Sequence, residues 1–173
     1  MYKKTVFTLP FNGFFMKNIT SCDNPLIKNI AKLKTKKGRE LQQQFLAEGV
    51  RTCVTLIEYG IRPLYVFVTK KMLDAVPPCM RNYQIIQVPQ KIIEKISPVT
   101  TSSGIIAVFS IPPEPSYSLI QEGIVLANMQ DPGNVGTLIR TCVAFGKKTV
   151  ILTDGVDPWN PKVVQASAGT IAA

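Results

Sequence analysis

Apolar positions along this chain recur at two different periods, and the switches between them mark out short strands and short helices. Asn24-Pro25 predicts a helix start, with Asn as N-cap and Pro in the first turn. Leu26, Ile27, Ile30 and Leu33 then form its apolar stripe. Phe45 to Glu48 reads as a short strand and Gly49 to Tyr59 as a helix. Pro63 to Val68 reads as a strand, Lys70 to Ala75 as a short helix and Gln84 to Val88 as a strand. Pro89 to Ile96 is predicted helical, and Gly104 to Phe109 extended. Strands alternating with helices predict an α/β class with a mainly parallel sheet covered on both faces.

Ile111 to Ser118 reads IPPEPSYS, and its three prolines can continue neither a strand nor a helix, so it is a linker. The βα pattern restarts beyond it. Ile124 to Ala127 reads as a buried strand, Asn134 to Phe145 as a helix, Thr149 to Leu152 as a strand, and Asn160-Pro161 opens a last helix. Two βα units bury their apolar strands poorly alone. The second half is therefore expected to lean on the first half or a partner chain, or to be part of a longer domain; the last reading is favoured.

With 46% hydrophobic residues in 173, the chain can build a core. Its net charge is +9, and residues 1–62 hold 11 Lys/Arg against 4 Asp/Glu. That concentration at one end points to an anionic partner, most often nucleic acid, against the alternative of a solvated helix face. There is no histidine, which excludes histidine acid–base or nucleophile chemistry. Cys22, Cys53, Cys79 and Cys142 show no metal-ligand spacing, so no metal is expected and free thiols in the cytoplasm fit best. No apolar run approaches the ~18 residues of a membrane helix. Residues 1–17 read as a leader that faintly resembles a targeting segment, with Met16 an alternative start.

The chemistry concentrates in Asp131-Pro132-Gly133-Asn134-Val135-Gly136-Thr137-Leu138-Ile139-Arg140, between a strand and a helix. Open α/β sheets bind ligands at such strand ends. Val135, Leu138, Ile139, Cys142 and Phe145 share the expected core face, and Thr137, Arg140, Thr141 and Ala144 lie on another. Asn134 is read as the helix cap and Gly136 as a site of close backbone approach. Arg140 is the only charged residue between Asp131 and Lys147. It suits bidentate phosphate binding, and the alternative is that it only snorkels to water. Asp131, Asp154 and Asp157 read as turn and cap residues ahead of acids or magnesium ligands. Trp159 is expected to pack at a helix start. Neither G-x-G-x-x-G nor the P-loop pattern occurs.

Three blocks then carry a resemblance. They are Ile19-Thr20-Ser21 and Asn24-Pro25-Leu26-Ile27-Lys28 through Phe45-Leu46-Ala47-Glu48-Gly49, then Asp131 through Arg140 to Phe145-Gly146, and finally Pro161 to Gly169. In this order they resemble the SpoU (TrmH-type) branch of the SPOUT RNA methyltransferases that carry an N-terminal RNA-binding domain. Beyond the leader read at 1–17, the resemblance implies a ribosomal-protein-like α/β/α substrate domain at 18–110. A linker at 111–122 and the first part of a knotted SPOUT α/β methyltransferase domain at 123–173 would follow. It implies methyl transfer from S-adenosylmethionine to a ribose 2′-hydroxyl of RNA, most often ribosomal, by a homodimer when full length. Arg140 would assist deprotonation of the hydroxyl and Asn134 would shape the catalytic centre. Lys28, Lys32, Lys36, Lys37, Arg39 and Arg51 are the candidate RNA contacts. The cofactor loops would lie beyond Ala173. The competing reading is a non-catalytic RNA-binding protein with a vestigial second domain.

Overall fold

The computed structural model describes residues 16–116, 118 and 120–173. Most of the segment read as a leader, residues 1–15, therefore lies outside the described residues. Among the described residues there are two sheets. The first has five strands: β1 (Met16–Asn18), β2 (Gln44–Glu48), β3 (Pro63–Val68), β4 (Ile85–Gln87) and β5 (Ile105–Ser110). Their order is β1-β4-β3-β5-β2. β4 runs parallel to both β1 and β3, whereas β5 runs antiparallel to both β3 and β2. The sheet is thus mixed rather than mainly parallel. Strand direction is not written in an apolar run, and β5 enters from the opposite end.

Period-two alternation sends side chains to two separate cores. Leu46, Phe67, Ile86, Ile106 and Val108 face α1 (Pro25–Lys32) and α5 (Gln90–Ile96), which bury Ile27, Ile30, Ile92, Ile93 and Ile96 against them. Phe45, Val66, Val68, Ile105, Ala107 and Phe109 face the opposite way. There they meet Cys53 and Leu56 of α3 (Val50–Glu58) and Met80 of α4 (Pro78–Arg81). Asn24 caps α1 as expected, its side chain accepting the Leu26 N–H. The stretch Lys70 to Ala75 forms only a 3-10 turn at Lys70–Met72. Sequence patterning missed β1, α4 and α2 (Lys36–Gln42), all of them short.

The second sheet pairs β6 (Gly123–Ala127) with β7 (Thr149–Thr153) in parallel, joined by α6 (Pro132–Ala144). The chain continues through α7 (Pro161–Ala166). Leu126, Val135, Ile139 and Val163 form its small core. The first half supplies what this core lacks: Val164, Trp159, Ile171 and Ala172 pack into the cluster under β2, β3 and β5. Trp159 lies on Phe45, ring centroids 4.6 Å apart, beside the start of α7. Gly169, at φ +85°, lets the last turn lie on α3, where an added Cβ would stand 2.6 Å from the Thr52 carbonyl oxygen. The second half leans on the first, one of the outcomes its size required.

Candidate functional site

α6 begins at the carboxyl end of β6. Its cap is Asp131, whose carboxylate accepts the Asn134 N–H at 2.7 Å; Asn134 itself sits inside the first turn. The expectation of an Asn134 cap is corrected by Pro132, which occupies the first helical position and fixes the cap one residue before it. Asn134 is thereby released, and its side chain is exposed. Phe145 also departs from expectation. It is 76% exposed rather than core, because no further strand covers that end of the helix among the described residues.

Val135, Ile139 and Cys142 are buried, whereas Asn134, Thr137, Arg140, Thr141 and Ala144 line one outward face. The Thr137 hydroxyl donates back to the Gly133 carbonyl at 2.8 Å and so is turned along the helix. Among the described residues the Arg140 guanidinium makes no hydrogen bond or ion pair, so its fork of donors is free for a ligand. The strand ends beside α6 are tied together by Gln130. Its side-chain amide donates to the Asn128 side-chain oxygen at 2.9 Å and to the Asp154 carbonyl at 3.3 Å. Asn128 and Asp154 both sit in the left-handed region, φ +53° and +50°, which their short polar side chains tolerate. Patterning gave no signal for Gln130; only its place one residue before the Asp131 cap marks it.

The six candidate RNA contacts separate into two groups. Lys28, Lys32, Lys36, Lys37 and Arg51 are exposed. Lys28 pairs with Asp23 at 2.9 Å, and its hydrogen bond and charge hold the Asp23 carboxyl below its ordinary range. Lys32 donates to the Asn29 side chain at 3.2 Å, and Lys36 stands 3.8 Å from Glu40, both in exposed positions where such links are weak. Arg39 is different. It is 2% exposed and is not available to RNA. Its guanidinium grips Asp157 at 2.6 and 2.7 Å and donates to the Leu33 carbonyl at 2.8 Å. Asp157 is thus neither a free acid nor a magnesium ligand. Among the described residues no three His, Cys, Asp or Glu side chains gather to hold a metal ion. No helix of the described residues is long and apolar enough to cross a membrane. All four cysteines are free thiols.

The fold thus joins an α/β/α domain, through the Arg39–Asp157 pair, to a βα unit whose helix α6 carries a lone arginine on its outward face. Comparison with known families makes this specific. Residues 24–107 match the MRM3-like substrate binding domain, and residues 122–173 match the SpoU rRNA Methylase family. The chain belongs to the SpoU family, in the branch that carries this substrate domain. It is 28% identical to the mitochondrial rRNA methyltransferase 3 of Xenopus laevis, over 92% of this chain and 41% of that protein. It is 30% identical to the Bacillus subtilis 23S rRNA (guanosine(2553)-2′-O)-methyltransferase RlmP, over 90% of this chain and 62% of that one. The crystal structure of an AdoMet-bound rRNA methyltransferase from Sinorhizobium meliloti superposes with a TM-score of 0.78 at 27% identity. It covers 91% of this chain and 62% of that chain. This chain thus spans about two fifths to three fifths of the length of these relatives.

Proposed function

We propose that this chain is the RNA-binding part and the first catalytic segment of an S-adenosylmethionine-dependent ribosomal RNA 2′-O-ribose methyltransferase. It would work in the cytoplasm and as a homodimer in its full-length form. The observation that carries this reading is Arg140. It projects from the outward face of α6 with Thr137 one turn before it, Asn134 at the start of the same face, and no internal partner among the described residues. The βα unit that bears it is fixed to the substrate domain through Arg39 of α2 and Asp157 of the β7–α7 loop. An RNA phosphate held by two parallel hydrogen bonds from Arg140 would bring the neighbouring ribose hydroxyl to Asn134. The guanidinium stays charged at any working pH, so its part is to orient the phosphate and favour the developing oxyanion rather than to accept the proton itself.

S-adenosylmethionine supplies the methyl group in this family, and an adenosyl group needs an enclosed slot. Val125 and Phe145, 63% and 76% exposed, line open faces rather than walls beside β6 and β7. The residues described here do not by themselves fit the cofactor, and the roles assigned to them stop at the RNA.

The test is genetic and chemical. Ribose methylation of ribosomal RNA is mapped in cells with and without the gene. Loss of one 2′-O-methyl mark, restored by the wild-type gene but not by Arg140→Ala, supports the reading. If every mark persists while the purified protein binds RNA, the non-catalytic RNA-binding reading replaces it.

A further inference from the structure

The carboxyl edge of the first sheet holds a cavity of about 580 Å³ well away from α6 in sequence. It forms where three parallel strands end side by side. Asn18 of β1 and Val68 of β3 both pair with Gln87 of β4. The backbone there is closed by the Ile19 N–H to the Gln87 carbonyl at 3.1 Å and the Val88 N–H to the Val68 carbonyl at 2.9 Å. Strand ends of this kind are where α/β sheets receive ligands. Asn18, Thr20, Lys70, Lys71, Gln87 and Gln90 line the cavity, with Val88 and Pro89 as its apolar wall. Among the described residues no carboxylate belongs to the lining. Gln90 is engaged by Glu94 at 3.1 Å, but among the described residues the side chains of Asn18, Thr20, Lys70, Lys71 and Gln87 make no hydrogen bond. Five polar side chains without a partner among the described residues thus border one cavity, two of them the consecutive lysines Lys70 and Lys71, which make its rim positive. Neither lysine belongs to the basic run before residue 62.

We propose that this cavity receives one nucleotide of the RNA substrate, its phosphate held by Lys70 and Lys71 and its base edge read by the amides of Gln87 and Asn18. The volume falls within the range of small-ligand sites, roughly 300–1,000 Å³. Adjacent ammonium groups suit a phosphate as point charges. An amide that both donates and accepts suits a base edge, and the half-buried Pro89 offers an apolar contact to the ring. The proposal rests on the RNA reading above. Its chemistry, a nucleotide phosphate with a base, is shared by a free nucleoside monophosphate, and the experiment separates the two.

Binding of a ribosomal RNA fragment is titrated at several salt concentrations for the wild-type chain, Lys70→Ala/Lys71→Ala and Gln87→Leu, with adenosine and guanosine monophosphates as competitors. The double lysine variant is expected to flatten the plot of log K against log salt by about 1 for each lysine that contacts phosphate. Gln87→Leu is expected to weaken binding roughly fivefold at an unchanged slope, the size of one lost hydrogen bond. These side chains stand at the surface, so thermal unfolding of the variants should match wild type. Wild-type affinity and slope in the double lysine variant would overturn the site while leaving the RNA reading intact. Absence of salt-sensitive RNA binding by the wild-type chain would remove the RNA reading and the site with it. Saturation by a free monophosphate that RNA does not displace would overturn the placement of RNA there.

Discussion

Arg39 and Asp157, 118 residues apart in the chain, form a buried ion pair with N–O distances of 2.6 and 2.7 Å that fastens the β7–α7 loop to α2. The remaining groups are also used. Arg39 donates to the Leu33 carbonyl, and the other carboxylate oxygen of Asp157 accepts the Trp159 N–H at 2.9 Å. Removing one partner leaves a buried charge uncompensated, which typically costs about 3–5 kcal/mol. Asp157→Ala is therefore expected to destabilise the protein by that order. Arg39→Met/Asp157→Leu should cost less than either single change. Trp159, the only tryptophan, packs tilted against Phe45 across this junction, so its fluorescence during urea unfolding reports the loss directly. A cost below about 1 kcal/mol for Asp157→Ala would mean that the pair is solvated.

The start of α6 gives a second prediction. Asp131→Ala removes the side chain that accepts the Asn134 N–H and should cost about 1 kcal/mol. Asn134→Ala, at an exposed position inside the first turn, should stay within about 0.5 kcal/mol. The same substitution should impair any ribose methylation, because it removes an exposed polar group from the helix face that carries Arg140. Equal destabilisation by the two changes would restore Asn134 as a cap.

Local chemistry was legible in the sequence; long-range partners were not. Asn24 and Asn160 each precede a proline and each cap a helix, accepting the Leu26 and Lys162 N–H groups at 2.9 Å. That signal is complete within three residues. Arg39 looked like Lys36 and Lys37 because nothing nearby distinguishes a buried arginine from a solvated lysine, and its partner arrives 118 residues later. α2 escaped notice because its buried residues are Gly38 and Arg39, which make no apolar stripe. Phe145 fitted the helical period, but period says which face a side chain joins, not how far the cover over that face extends. The strand-end site around Asn18, Lys70 and Gln87 was invisible for the same reason as the mixed sheet. It exists only once β1, β4 and β3 are placed side by side.

Gly136 sets the distance between α6 and α7. A Cβ there would stand 2.6 Å from both the Ala166 Cβ and the Val163 carbonyl oxygen, and 2.8 Å from the Ser167 nitrogen. Alanine in a helix interior gains about 1 kcal/mol over glycine from propensity. Overpacking against backbone atoms typically costs about 1–3 kcal/mol, and two of these three contacts are backbone. The clash should prevail, so Gly136→Ala is expected to lower stability and to disturb Trp159 fluorescence as α7 shifts. A stabilised Gly136→Ala protein would show that α7 moves away at little cost.

Cys53 supplies a prediction in pH. Burial in the core under β2 and β5 pushes its thiol up from 9.0 to about 12, and the Sγ donates to the Ala47 carbonyl at 3.5 Å. The thiol ionises more easily in the unfolded chain than in the folded one, so the unfolded state is favoured as pH rises above 9. Below that pH both states keep the proton and the residue contributes no pH dependence. Between pH 9 and about 12 its contribution should fall by about 1.4 kcal/mol per unit. Other groups titrate in this range, so the quantity to measure is the difference between wild type and Cys53→Ala. Unfolding in urea at pH 8, 9 and 10 should show the two stabilities converging by roughly 1 kcal/mol over the last step, after a constant offset from the lost side chain over the first. Thiol alkylation gives an independent check. Cys22 and Cys79, partly exposed, should react in the folded protein, while Cys53 reacts only after unfolding. Alkylation of Cys53 at a rate matching Cys22 in the native state would mean that the core opens around α3, the helix on which the last turn of the chain rests.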